Sequence, residues 1–201
     1  MNKQDNEQVI AVPKKLLFAN KSFTGFRPFC YERYWDIIKE NQEIVVHQEI
    51  EDDDSYIQPI IILCVYRPGR QTLFYFKKQE SANRQEWSIA VDGHIEEIPL
   101  VPYSLQELGI NFFQKKFLNR HCYSIRSLGY LYSPDHKQTK NHLGLLFLAN
   151  IDASLQVCCP KIFESATVDK NEVRNFINGR FPFDPWTKMA FNAIQKNIYY
   201  H

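Results

Sequence analysis

The feature that most constrains this chain is the stretch QPIIILCVYR at 58–67, which holds the unbroken apolar run IIILCVY at 60–66. A half-exposed strand alternates apolar and polar side chains, whereas a continuous β-branched run fits a strand that is covered on both faces. The stretch HLGLLFLANI at 142–151 has the same character. These two runs predict a sheet with helices packed on both sides, and hence an α+β fold.

Shorter elements surround the two runs. Thr72 begins a strand over 72–78 that the turn PGRQ joins to the first run as a hairpin. Ser104 and Glu107 form a capping box at the start of a helix over 104–121. Further strands are predicted at 9–12, 87–95 (ending in a loop), 123–133 and 155–163, and further helices at 31–42, 169–179 and 187–198. Residues 47–56 read as an acidic loop.

The chain of 201 residues reads as one domain over 8–201 behind a polar tail, 1–7, that is predicted to be disordered. The formal net charge is +1, so no bulk electrostatic argument favours nucleic acid or a membrane surface. The apolar run at 60–66 is far shorter than the about 20 residues that span a bilayer.

The cysteines indicate a reducing compartment. There are five, an odd number, and none forms a CxxC pair. Cys64 lies in the apolar run and reads as a buried free thiol. Because the polar N-terminus lacks a secretory signal, we expect a soluble cytoplasmic protein with reduced thiols, and the sequence points to no cofactor.

Four collinear motifs point to a known family. They are the stretch SIAVDGHI at 88–95, the strand start HLGLLF at 142–147, the acidic residues at 49–54, and the ending FDPWTKMA at 183–190. Together they resemble the Nudix hydrolases, and most closely the group described as predicted phosphoesterases of that family. The resemblance covers nearly the whole chain. It implies a Nudix-like α/β/α sandwich with a mixed β-sheet, an N-terminal extension and a C-terminal helix.

The resemblance also implies an acidic catalytic helix with the pattern R-E-U-x-E-E, where U is a bulky aliphatic residue. Its glutamates hold Mg²⁺, which bridges a diphosphate and activates water. In this register Asn111 takes the arginine position, Phe112 the first glutamate position, and Lys115 and Lys116 the glutamate pair. Glu107 is the one acid in 104–121, and its capping role explains it. The sequence therefore predicts loss of helix-bound Mg²⁺, with no catalytic residue and no metal ligand assigned.

The candidate ligand-binding residues are cations and histidines around the predicted cleft. Lys115 and Lys116 could bind phosphate in place of the metal, or could simply be a solvated helix face. His94 follows the loop glycine, and His142 opens a strand that could face the same cleft. For both histidines a structural role is the leading alternative. The spacing of His94, His142 and Asp92 does not support a metal site. The remaining candidates, which ordinary surface charge could also explain, are Arg67, Lys77 and Lys78.

Other residues leave alternatives open. Phe112, Phe113 and Phe117 crowd one helix, where they either fill the space that the acids left or form a surface for a protein partner. The acids at 49–54 read as a solvated loop.

Two functions from different classes follow. The first is a catalytically degenerate Nudix-fold protein that senses a nucleotide-like ligand or binds a protein partner. The second is a Mg²⁺-dependent phosphoesterase or pyrophosphohydrolase that acts on a nucleoside diphosphate-linked compound, with ligands from Glu96, Glu97 or the acids at 49–54. Nucleic-acid binding is disfavoured by the neutral charge balance.

Overall fold

The computed structural model describes residues 7–19, 21–31, 33–81, 84–98, 104–117, 124–137, 139–152, 165–169, 172, 175 and 183–199. Its strands are β1 (Gln8–Pro13), β2 (Gly25–Pro28), β3 (Glu43–Val46), β4 (Tyr56–Arg67), β5 (Thr72–Ser81), β6 (Arg84–Ser88), β7 (Ala90–His94), β8 (Ser124–Tyr132), β9 (His142–Asn150) and β10 (Ser165–Asp169). Its helices are α1 (Lys14–Leu17), α2 (Tyr34–Asn41), α3 (His47–Ile50), α4 (Leu105–Lys116) and α5 (Pro185–Tyr199).

Strand β4 is the centre of the sheet. Along one edge it pairs in parallel with β9, from Gln58 opposite His142 to Tyr66 opposite Asn150. Along the other edge it pairs antiparallel with β7, and then with β5 for two residues near its end. The main path of the sheet runs β10-β5-β4-β9-β8-β2. The sheet is therefore mixed, as predicted, and both edges of β4 find hydrogen-bond partners.

Helices cover both faces of β4. Ile61, Leu63 and Val65 belong to a cluster that includes Trp35 of α2 and Phe113 of α4. The alternate residues Ile60, Ile62 and Cys64 pack in a second cluster with Trp186 and Phe191 of α5. Because successive side chains of a strand point to opposite faces, one apolar run supplies both clusters. The predicted α/β/α sandwich is confirmed.

Two segments that were predicted as loops are regular structure. Residues 90–94 form β7, because β4 is long enough to leave an edge at Ile60–Cys64 that needs a partner. Within the predicted acidic loop at 47–56, residues 47–50 form α3 and Tyr56 begins β4. The strand at 90–94 was mispredicted because its pairing partner, β4, is distant in the sequence.

The capping box of α4 is confirmed. The Ser104 hydroxyl accepts a hydrogen bond from the Glu107 amide at 3.1 Å, and the Glu107 carboxylate accepts one from the Ser104 amide at 2.7 Å. These bonds hold the pKa of Glu107 below its ordinary value. The helix ends at Lys116, earlier than predicted, and residues 118–121 lie outside the described part.

A buried polar network anchors the start of α5. The Asp184 carboxylate accepts hydrogen bonds from the amide and the hydroxyl of Thr187, at 2.8 and 2.9 Å. The same hydroxyl accepts a bond from the Ile89 amide at 3.2 Å and lies 3.4 Å from the Ser88 hydroxyl oxygen. Asp184 is thus the N-cap of a helix with Pro185 at its first position. Ser88, which opens SIAVDGHI, and the motif FDPWT therefore belong to one hydrogen-bond network.

Several predictions fall outside the described residues. These are the disordered tail over 1–6, the strand at 155–163, and most of the helix at 169–179. Glu7 is described, and its carbonyl accepts a hydrogen bond from the His47 amide at 2.9 Å. That residues 8–201 form one domain stays a prediction. Within the described part, no helix combines the length and the apolar character needed to cross a membrane.

A substitution at Gly109 tests how closely α4 packs against the sheet. A Cβ at this position would lie 2.7 Å from Cδ1 of the buried Phe147 ring and 3.0 Å from Cγ2 of Ile125. Helix propensity alone favours alanine by about 1 kcal/mol, but overpacking a core costs about 1–3 kcal/mol. We therefore expect Gly109→Ala to lower the free energy of unfolding, measured by urea denaturation. Gln106→Ala, at an exposed position of the same helix, should change it little, and a stabilised Gly109→Ala would show that α4 does not pack this closely.

A substitution at Thr187 tests how much the hydrogen-bond network at the start of α5 contributes to stability. Thr187→Val removes the hydroxyl and leaves the buried Ile89 amide without that acceptor, which costs about 1–3 kcal/mol of unfolding free energy. Thr187→Ser keeps the hydroxyl and should keep most of the stability. An unchanged stability in Thr187→Val together with a loss in Thr187→Ser, both measured by urea denaturation, would mean that the methyl group matters rather than the hydrogen bonds of the hydroxyl.

Candidate functional site

A cleft of about 400 Å³ lies between α4 and the segment that runs from β7 into 95–97. We call it the α4 cleft. Its lining consists of Glu7, Ile61, Gly93, His94, Ile95, Glu96, Glu97, Leu108, Asn111, Phe112, Lys115 and Lys116.

Gly93 lets α4 lie close to β7 at the floor of this cleft. A Cβ at Gly93 would be 3.0 Å from Cε2 of Phe112 and 3.2 Å from Nζ of Lys116. Any larger residue would have to displace the aromatic ring and the ammonium group together. The glycine of the SIAVDGHI stretch therefore has a packing role, which is to bring the basic end of the helix against the strand.

The charges of the α4 cleft are mixed. Nζ of Lys115 lies 2.6 Å from Oε1 of Glu96, and both side chains are about 60% exposed. An ion pair so exposed contributes little to stability, so its partners can separate at low cost. Nζ of Lys116 lies 5.2 Å from the centre of the Phe112 ring, where a cation–π interaction holds it at the floor of the cleft.

The structure brings together three of the predicted ligand-binding residues. His94, Lys115 and Lys116 all line the α4 cleft. Arg67 is not in the lining of the α4 cleft. It is the last residue of β4, six residues beyond Ile61. Its guanidinium carbon lies 4.9 Å from the centre of the Phe74 ring. Burial lowers the pKa of Arg67 from its ordinary value. The side chain of Lys77 lies outside the described part, as does that of Lys78, and only their backbones are described, in β5.

His142 faces a different cavity. This cavity of about 230 Å³ is lined by His47, Ile60, Asp92, Gly93, His94, His142 and Trp186, and we call it the histidine cavity. His94 borders both cavities. Burial is the main cause that lowers the pKa of His94 from its ordinary value, and the charge of His47 adds to it. Both of these causes favour the neutral form of the His94 imidazole.

Sequence reasoning missed His47. It placed this residue in an acidic loop, whereas in the structure it begins α3 with its ring 4.5 Å from that of His94. The rings of His94 and His142 are 5.8 Å apart and nearly parallel, at 21°. No spacing in the sequence signals this group, because His94 and His142 come together through the pairing of β7 and β9 with β4, and His47 joins them from α3.

The three phenylalanines of the α4 region are core residues. Phe112, Phe113 and Phe117 are 6%, 2% and 2% exposed. They belong to the cluster that includes Leu145 and Phe147 of β9. The alternative that they form a surface for a protein partner is therefore wrong, and the alternative that they fill space inside the protein holds.

The other candidates lie away from the two cavities. The acids at 49–54 line neither one, and Oδ1 of Asp54 pairs with Nζ of Lys140 at 2.7 Å. Cys64 is a buried free thiol, as predicted, and burial raises its pKa. Cys122, Cys158 and Cys159 lie outside the described residues.

The Mg²⁺ that a Nudix helix would hold does not fit this donor set. The face of α4 in the cleft presents Leu108, Asn111, Phe112, Lys115 and Lys116, none of which carries a carboxylate. Mg²⁺ requires oxygen ligands, and the two ammonium groups repel it. Among the described His, Cys, Asp and Glu side chains, one group of three brings its ligand atoms together, and it consists of histidines rather than of the cleft glutamates.

Comparisons with known proteins identify the fold. No family model and no curated protein matches the chain. Among solved structures, Tm1382, which is described as a candidate Nudix hydrolase, has a TM-score of 0.77 at 17% identity, over 95% of this chain and 100% of that one. The Nudix domain of Shewanella oneidensis NrtR, crystallised with ADP ribose, has a TM-score of 0.51 at 11% identity, over 71% of this chain and 88% of that one. The chain therefore has the Nudix fold.

A substitution at Phe112 tests the assignment of Phe112, Phe113 and Phe117 to the core. Phe112→Ala should lower the free energy of unfolding by about 3–5 kcal/mol, as the loss of a buried phenylalanine does. Lys115→Ala, one turn further on at an exposed position, should change it by less than about 0.5 kcal/mol. Both are measured by urea denaturation. If the free energy of unfolding of Phe112→Ala were unchanged, the Phe112 ring would not be part of the buried core.

Proposed function

We propose that this Nudix-fold protein binds a nucleotide-like anion in the α4 cleft without the Mg²⁺ of a Nudix helix, and that it acts as a ligand sensor rather than as a metal-dependent hydrolase. The observation that carries the proposal is the position of Lys115 and Lys116. Both line the cleft at the helix positions where the family pattern has its paired glutamates.

The chemistry of the cleft suits a ligand that carries a phosphate group beside an uncharged, partly apolar group. Lys115 and Lys116 supply ammonium groups that bind phosphate oxygens as a divalent ion would. Ile95, Leu108 and the Phe112 ring supply an apolar wall in the same lining. A volume of about 400 Å³ is in the range of small-molecule sites. A nucleoside diphosphate combines these two characters.

A structural neighbour supports this class of ligand. The Nudix domain of NrtR was crystallised with ADP ribose, a nucleoside diphosphate-linked sugar. ADP ribose is therefore the first probe for this chain. A protein partner has less support, since Phe112, Phe113 and Phe117 are buried and form no surface for one.

The second candidate is the Mg²⁺-dependent hydrolase that uses loop carboxylates. Glu96 and Glu97 line the α4 cleft, and this observation keeps the candidate open. The acids at 49–54 do not line it. In this mechanism Glu96 would hold the metal, whereas in the sensor it competes with the ligand for Lys115.

The two candidates predict opposite effects of one substitution. If the cleft is an anion sensor, Glu96→Gln frees Lys115 and should tighten ADP ribose binding, measured by calorimetry in the presence of EDTA. Lys116→Met should weaken that binding by about 10- to 100-fold, which corresponds to one charge-assisted hydrogen bond. Lys188→Met, which removes an exposed lysine of α5 outside the cleft, is the matched control and should leave binding unchanged.

Other results would overturn the sensor. Binding that requires Mg²⁺ and is lost in Glu96→Gln, together with turnover of ADP ribose, would establish the hydrolase instead. The absence of any stabilisation or heat signal across a panel of nucleoside diphosphates would contradict both candidates.

A further inference from the structure

Three histidines from separate parts of the chain meet at the histidine cavity. His47 begins α3, His94 ends β7, and His142 begins β9. One ligand atom from each can be chosen so that all three atoms lie within 4.8 Å of one another. All three side chains are half-buried.

The sheet sets the positions of two of them. His94 lies opposite Ile60, and His142 lies opposite Gln58, on the two edges of β4. Since Gln58 and Ile60 are two residues apart, they share one face of the sheet, and so do the histidines paired with them. The third residue, His47, is fixed at its amide by the carbonyl of Glu7, at 2.9 Å.

The spacing suits a small ion with nitrogen ligands. Zn²⁺ binds imidazole nitrogen at about 2.0–2.1 Å, so two ligands of a tetrahedral site are about 3.4 Å apart. Reaching that separation from at most 4.8 Å requires ring movements of the order of 1 Å. Imidazole is a ligand for zinc and its neighbours among the transition metals, whereas Mg²⁺ prefers oxygen.

A carboxylate lies near one of the rings, outside the group of three. Oε1 of Glu7 lies 3.8 Å from Nδ1 of His94. Histidines that bind a metal through one nitrogen commonly donate the other N–H to a carboxylate, which orients the ring and raises its basicity. The cavity beside the rings is also lined by Asp92, whose negative charge favours a divalent cation.

We propose that His47, His94 and His142 bind one divalent transition-metal ion of the Zn²⁺ class and leave a coordination position open toward the histidine cavity. This site is distinct from the helix site of a Nudix hydrolase. It is independent of the sensor proposal, because it needs neither Lys115 nor Lys116. With three imidazoles bound, the fourth position of a tetrahedral ion takes water or a small anion.

The test uses tag-free protein that has been stripped with EDTA and titrated with Co²⁺ and Zn²⁺. We expect one equivalent of Co²⁺ to produce the visible absorption of a tetrahedral ion without the near-ultraviolet charge-transfer band of a thiolate ligand. Zn²⁺ should displace the Co²⁺ and raise the melting temperature, because it binds the folded chain.

The variants separate these three ligands from other donors. His47→Ala should weaken the metal by more than about 100-fold, beyond the upper end of what the loss of an outer partner costs, whereas Glu7→Gln should weaken it by about tenfold. His136→Ala, at an exposed histidine, is the matched control and should bind as the wild type does. Circular dichroism verifies that each variant is folded.

Three results would overturn the proposal: no stoichiometric binding to the wild type, unchanged binding in folded His47→Ala, or a thiolate charge-transfer band that assigns the metal to cysteine. If His94→Ala or His142→Ala fails to fold, the wild-type titration and His47→Ala still decide. Loss of ADP ribose binding would leave these outcomes untouched, so the two proposals fail separately.

Discussion

The burial of β4 on both faces is the constraint on which the rest of the structure depends. A strand without a polar face must be covered by a layer on each side, and its backbone groups must find partners along both edges. The α2 and α4 layer covers one face and α5 covers the other. β9 pairs along one edge, β7 and β5 pair along the other, and β1 pairs with Tyr56 and Ile57 at the start of the strand.

The two cavities follow from this arrangement. Because β7 runs along β4, its residues alternate between the α4 side and the α5 side. Gly93 thus lies under Phe112 and Lys116, while Asp92 and His94 face the side where Trp186 lies in the first turn of α5. One short strand therefore contributes to two different environments, one bounded by a basic helix and the other by histidines.

The α/β/α sandwich could be predicted from the apolar run alone. The run shows no alternation of apolar and polar residues, and this can be recognised without knowing which elements pack against it. The capping box at Ser104 and the burial of Cys64 were also predictable, because each depends on residues close in the sequence or on the run itself. β7 and His47 were not predictable, because strand pairing and the position of α3 are set by distant residues. The family pattern likewise drew attention to the helix lysines, to His94 and to His142, but not to His47, which lies 47 residues before His94.

His94 gives the two cavities a common wall. A molecule that enters the α4 cleft and moves this ring also moves one corner of the histidine group. Linkage requires that the coupling be reciprocal: if one occupant changes the affinity for the other by some factor, the other changes its affinity by the same factor. If both proposed sites are occupied in one molecule, the shared His94 ring thus couples the affinity of the histidine group for a metal ion to the affinity of the α4 cleft for an anion.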